Sequence, residues 1–375
     1  MPSHEASRMN IATRILSGLW IALSAFQAIA GTQETPQLTF KQSAEMIRHT
    51  YESQFFTLET AQQNHYGLCM YRQTLDAKRY ATSIENEWKN TASTLNYFAD
   101  HVHTPEQIVL YAQHQLAPIR ERQDERSQRR YNVTKNTPEY LYLGPLITAI
   151  AHIDEYGLEH RKNHKLRNVL RRYDFNKYAT SKPMIEAWGP QLATQVFGLR
   201  DLGEQNVVQA FILHFRRTYP DDKDASLTAQ QYRNKIATMT HIIAAQSHRY
   251  QNQVSAHNQQ WILNYFRQHI DTILLRATPN LIAQIGISFL LVGLDDDVVV
   301  QKAQQAVRKA INAEDGMIPS SSGQTNLSQG EQRNSMAIML LDWRGVHAQP
   351  SFNSTSQFFT HLPSELIKKH SSRES

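Results

Sequence analysis

The 375-residue sequence contains a single cysteine. Its fold therefore holds no internal disulfide, and paired-thiol redox motifs and multi-cysteine zinc sites are excluded. There is no P-loop, no HExxH, no G-x-S-x-G elbow and no dinucleotide fingerprint, which removes the commonest nucleotide-binding, zinc-protease and serine-hydrolase classes. Period-two alternation is nearly absent, and no Asn-Gly or Asp-Gly pair sits between two alternating segments, so little sheet is expected. Beyond the first thirty residues no apolar run approaches the ~20 residues that span a bilayer. The formal net charge of +5 is compatible with an anionic ligand but too small to demand one, and it implies no nucleic-acid partner.

What is present begins with the N-terminus. Arg8 and Arg14 precede the apolar run "ILSGLWIALSA", and Ala28 and Ala30 place small residues before a cleavage point. This is the layout of a secretory signal peptide over residues 1–30, cleaved after Ala30, and it predicts a periplasmic or secreted protein of a Gram-negative bacterium. A helical-repeat domain is expected over 31–349, followed by a partly disordered tail over 350–375. An exported chain of this length buries enough core to do without disulfide staples. Cys69, in the apolar context "GLCMY", reads as a buried free thiol rather than a nucleophile.

Two stretches repeat one pattern 45 residues apart: "YLGPLITAIAHIDEYGLE" from Tyr142 and "AWGPQLATQVFGLRDLGE" from Ala187. In each, Gly-Pro precedes a segment that is apolar on nearly all sides, followed by a one-sided helix such as Leu166, Val169, Leu170 and Tyr173. A helix apolar all round belongs inside, and proline suits a first helical turn, so Gly144-Pro145 and Gly189-Pro190 are expected to start inner helices. The same alternation continues at "KIATMTHIIAAQ", at "NLIAQIGISFLLVGL" after Pro279 and at "EQRNSMAIMLLDW", with "HYGLCMYRQTLD" upstream. About six inner helices with amphipathic partners predict an all-α fold of helix pairs, closed as an α/α toroid, the alternative being an open α-solenoid. Segments 39–64 and 105–130 read as one helix each and fall outside that count.

"HYGLCMYRQTLD", "TPEYLYLGPLITAI" and "EQRNSMAIMLLDW" resemble segments of an exported bacterial family carried as a domain of unknown function. More distantly, the helix-pair pattern is similar to the α/α toroids of periplasmic glycoside hydrolases and polysaccharide lyases. The resemblance implies an exported setting. A fold likeness by itself licenses no chemistry.

The long connection "EDGMIPSSSGQTNLSQG" leads into Glu331, Arg333 and Asn334, expected at the start of an inner helix, where backbone N–H groups are free. With Tyr140, Tyr142, Glu186 and Trp188 ahead of the two Gly-Pro pairs, these residues would supply carboxylates, a guanidinium and aromatic platforms for a sugar ring. Helix capping with scattered surface polar groups is the competing reading. His65, Tyr66 and Arg72 form a second constellation: a base and a guanidinium for a uronate if the site is a lyase, or a structural salt bridge for Arg72. A hydrolase would instead need two carboxylates, and Glu331 with Glu186 is the first pair to test. Asp221–Asp224 lacks the glycine and terminal glutamate of a calcium loop, and Asp295–Asp297 reads as the cap of the following helix. No metal or cofactor is implied. The sequence thus predicts a periplasmic carbohydrate-active enzyme of lyase or glycosidase type on a glycan that can be anionic, with a non-catalytic binding or scaffold protein for a glycan or protein partner as the alternative. A terpenoid-cyclase reading ranks third, because "LDDDV" matches neither acidic motif of those enzymes.

Overall fold

A computed structural model describes residues 38–348 and 362–369. The expected signal peptide and most of the expected tail lie outside these residues. In chain order the helices are α1 (Phe40–Ser53), α2 (Thr60–Thr74), α3 (Ala77–His101), α4 (Pro105–Glu121), α5 (Glu125–Thr134), α6 (Tyr140–Glu155), α7 (Asn163–Arg171) and α8 (Asn176–Ala179). They continue as α9 (Lys182–Asp201), α10 (Val208–Thr218), α11 (Ala229–Gln246), α12 (Ala256–Arg276), α13 (Pro279–Leu291), α14 (Val298–Lys309) and α15 (Leu327–Leu341). The fold is all-α apart from one short antiparallel pair, β1 (Leu158–His160) with β2 (Leu366–Lys368), in which Leu158 faces Lys368. Thus residues 362–369 return to the domain beside α6.

The six segments that read as apolar all round are α2, α6, α9, α11, α13 and α15. Every residue of α13 from Leu281 to Leu291 is buried, and each fully buried Ile, Leu or Phe contributes roughly 1.5–3 kcal/mol. Their partners are one-sided: α14 buries only Val299, Val300, Ala303 and Val307, and α10 only Val208, Phe211 and Phe215. In sequence order α6 packs on α9, α9 on α11, α11 on α13 and α13 on α15, and α15 packs back on α2; α3 lies against both α2 and α6.

The Gly-Pro pairs do not start these helices. Pro145 and Pro190 lie inside α6 and α9, which begin at Tyr140 and Lys182. A proline there removes the helical donor of the carbonyl four residues back, and on either side of that position in α9 Arg130 Nε donates to the Ala187 carbonyl and Asn234 Nδ2 to that of Ile185, each at 3.1 Å. The glycines serve close approach. A Cβ on Gly144 would lie 2.5 Å from Gln195 Nε2, and one on Gly189 would lie 2.3 Å from Thr238 Oγ1. The repeat therefore marks where each inner helix lets a polar side chain of the next one come against its backbone.

Other boundaries also differ from expectation. Segment 39–64 divides into α1 and α2 around Phe55–Thr57, and 105–130 divides at 122–124, where Asp124 caps the Ser127 N–H of α5. Asp297 caps Val299 and pairs with Arg267 at 2.8 Å, as a capping role predicts. Asp221 and Asp224 hold the fully buried Lys235 ammonium at 2.7 Å each, which gives that acidic run a structural task.

Candidate functional site

The start of α15 decides the fate of the first expected cluster. Asn326 caps that helix by accepting from Gln329 N–H, so α15 begins at Leu327 and Glu331 is already within it, away from the free N–H groups. Asn334, fully buried, accepts from the Ile318 N–H and donates to the Ile318 carbonyl and to Tyr51. Arg333 Nε also donates to the Ile318 carbonyl, at 3.0 Å. Both residues therefore anchor the 311–326 connection instead of facing a cavity. Glu186 sits between Arg129, at 3.7 Å, and Lys182, at 4.0 Å, and no contact with Glu331 occurs among the described residues. Tyr142 packs between Phe98 and Tyr111 in the core, and Tyr66 stacks on Tyr51.

Two of the expected aromatics do reach open space. Tyr140 and Trp188 line a cavity of about 760 Å³ walled by α2, α3, α4, α6 and α9. Tyr140 donates to Gln195 Oε1 at 2.9 Å, and the Trp188 indole N–H donates to Thr134 at 2.9 Å beneath the Arg130 guanidinium, 3.9 Å from the ring centre. Burial pulls the Arg130 pKa down to about 10. The remaining polar wall is rich in amides and hydroxyls, including Asn90, Thr91, Thr148 and Gln191.

Two titratable groups missed in the sequence stand in that wall. Glu87 Oε1 of α3 lies 3.5 Å from His152 Nδ1 of α6, and the Tyr156 hydroxyl hydrogen-bonds with the other ring nitrogen at 3.2 Å. Burial raises the Glu87 carboxyl above its usual range, against the pull of Arg249, His65 and Arg72. Burial also drives His152 well below its ordinary value, helped by the positive charges of Arg249 and Arg72. The carboxyl is pushed up and the imidazole down, so the two move toward each other, the condition in which a carboxyl and an imidazole exchange a proton readily. Beside them Asn64 of α2 is 1% exposed, lines the cavity, and has no hydrogen-bond partner for either amide atom among the described residues. Such a group costs about 1–3 kcal/mol unless water or a ligand satisfies it.

A second cavity of about 610 Å³ shares Gln191 with the first and is walled by α5, α9, α11, α13 and α15. Arg126 and Arg233 line it, as Arg122 lines the larger cavity, and Asp124 attracts both Arg126 and Arg122. His241 in its wall pairs with Thr194, and burial lowers its pKa to about 4.

His65 and Glu331 do meet, at the contact between α2 and α15. His65 Nδ1 donates to both Glu331 oxygens, at 2.8 and 2.9 Å, and Ser335 Oγ donates to Oε1 at 2.5 Å. The attraction of the Cys69 sulfur, followed by hydrogen bonding to Cys69 and Glu331, holds the imidazolium well above its ordinary pKa despite burial. Arg72 lies at the far end of α2, donating to the Arg249 carbonyl at 2.8 Å and facing Glu155 at 3.5 Å, so it is the structural salt bridge the sequence allowed.

No described helix is long and apolar enough to cross a membrane, and the described residues hold no cluster of three or more His, Cys, Asp or Glu suited to a metal ion. No curated protein and no solved structure matches the chain. The family described as "Domain of unknown function (DUF3541)" matches residues 40–369, which is most of the sequence, and the chain therefore belongs to that family.

Proposed function

We propose that the protein is an exported, periplasmic carbohydrate-active enzyme of the polysaccharide-lyase type, acting on an anionic glycan inside a closed α/α ring of six helix pairs. The return of α15 onto α2 supports ring closure. The observation that carries the activity is the Glu87–His152 pair in the wall of the larger cavity, with the unpartnered Asn64 beside it. An amide- and hydroxyl-rich wall with aromatic edges suits a sugar, and Arg122 offers a guanidinium for its carboxylate.

Elimination suits this wall better than hydrolysis. Hydrolysis uses two carboxylates about 5–10 Å apart, and Glu87 is the one carboxylate among the described residues lining the larger cavity. Elimination needs a base for the proton beside the sugar carboxylate and an acid for the departing glycosidic oxygen. Glu87 takes that proton, the carbon–oxygen bond breaks as the carbon–carbon double bond forms, and the proton goes to the leaving oxygen. A raised carboxyl pKa makes Glu87 the stronger base for this step, and His152 behind it receives or returns a proton.

Incubation with uronate-containing polysaccharides, followed by the ultraviolet absorbance of the unsaturated product, tests this reading. Glu87→Gln is expected to lower the rate by about 10²–10⁴-fold. Glycan binding without turnover on any anionic polysaccharide would instead establish the non-catalytic alternative.

A further inference from the structure

Cys69 is the only thiol in the sequence, and elimination in the larger cavity gives it no task. Its sulfur lies 3.8 Å from His65 Nε2. Because Nδ1 of that ring is committed to Glu331, Nε2 is the nitrogen that faces the sulfur, and one proton is shared between sulfur and ring. Glu331 is fixed in turn by Ser335. Nucleophile, base and orienting carboxylate thus stand in the order that activates a thiol. Two single helical turns build the array: His65 and Cys69 are four residues apart on α2, and Glu331 and Ser335 four apart on α15. The His65 side chain is 44% exposed, so solvent reaches the base even though Cys69 itself is buried.

Tyr250 is an independent observation, tied to α15, the helix that carries Glu331 and Ser335. Its hydroxyl points at the Met336 thioether at 3.7 Å, a weak acceptor. Burial, and after it the charge of Cys69, pushes the phenol pKa up, so Tyr250 keeps its proton and stays a donor. It ends a run of three non-glycine residues at positive φ: His248 at 49°, Arg249 at 55° and Tyr250 at 71°. Such a conformation costs on the order of 1–3 kcal/mol per residue and persists where surrounding contacts enforce it. Here Arg72 clamps the Arg249 carbonyl.

We propose that Cys69 is the covalent nucleophile of an acyl-transfer site for carboxylic esters, with His65 as its base, Glu331 as a positioning residue and Tyr250 as donor to the developing oxyanion. With the shared proton on His65, the sulfur attacks the carbonyl carbon. The carbon–sulfur bond forms, the ester carbon–oxygen bond breaks, and His65 hands the proton to the departing alcohol. Water, deprotonated by His65, then cleaves the thioester, which releases the acid and restores the thiol.

p-Nitrophenyl acetate and the wild-type protein test this without any glycan, so the outcome is independent of the lyase reading. The expected result is a burst of about one p-nitrophenolate per chain, with the acetyl group mapped by peptide mass to Cys69. His65→Ala should slow acylation at least ~10-fold with partial rescue by free imidazole, and Tyr250→Phe should cost about 10²-fold. Glu331→Gln should change the pH profile of acylation as well as its rate. An acetyl group found elsewhere, or acylation of Cys69 at the same rate in His65→Ala, overturns the proposal. So does a native Cys69 that neither p-nitrophenyl acetate nor iodoacetamide modifies, since a thiol closed to both is closed to substrate.

Discussion

Glu87–His152 and Glu331–His65 are the same two residue types on four helices of one fold, and their surroundings drive the two histidines in opposite directions. The positive charges of Arg249 and Arg72 act on His152, add to the penalty of burial and favour the neutral ring. His65 has Cys69 and a two-point contact with Glu331, which outweigh the desolvation of a partly buried ring and favour the cation. The distances follow this division: 3.5 Å for the first pair, 2.8 and 2.9 Å for the second. Residue type therefore decides little here. The sign of the third and fourth neighbours decides whether a carboxylate–histidine pair is a proton exchanger or a fixed ion pair.

The largest break in this comparison should come from removing the carboxylate of the ion pair. Glu331→Ala strips the partner from both His65 and Ser335, and about 2–3 kcal/mol of stability should be lost in urea denaturation. The corresponding Glu87→Ala change should cost clearly less, because Glu87 is partly exposed and held by a longer contact. Equal losses would mean that the two pairs are equivalent.

A pH titration of stability sharpens the comparison. His152 and His241 have depressed pKa values, so their contribution is present above about pH 6.5 and is lost as pH falls, for His241 through about pH 4. His241→Asn should reduce the acid-side slope by up to about 1.4 kcal/mol per pH unit. His65 has a raised pKa, so its contribution is present below about pH 6.5 and is lost as pH rises through the folded-state value. His65→Gln should accordingly flatten the alkaline side. A change on the same side in both variants would contradict the assignment.

The smallest expected effect on stability belongs to Asn64. Its amide has no partner to lose among the described residues, so Asn64→Leu should alter stability by less than about 1 kcal/mol while weakening glycan binding. Strong destabilisation in calorimetry would show that the amide is structural.

The sequence made the six inner helices legible because a helix buried on all sides leaves an unmistakable lack of polar residues, as in Leu281–Leu291. It misplaced the starts of α6 and α9 because Gly-Pro carries two meanings, first-turn proline and close helix approach, and only the neighbours Gln195 and Thr238 separate them. The three-residue strands were invisible: β1 finds its partner some 200 residues away, and so short a strand has no periodicity. Glu87 sits in "SIENEWKN", a charged one-sided helix in which nothing local tells an inward glutamate from an outward one. Cys69 was read as a buried thiol, which it is. The four-residue spacing to His65 was visible, but the Glu331 that orients His65 lies 266 residues further on.

The central claim is that Glu87, facing a sugar-sized cavity with His152 behind it, holds its proton longer than an ordinary carboxyl. Infrared difference titration of the wild type against Glu87→Gln reads that single group. The account predicts a carboxyl signal that persists clearly above the ordinary glutamate pKa of about 4.3; loss of that signal at or below this value would contradict it.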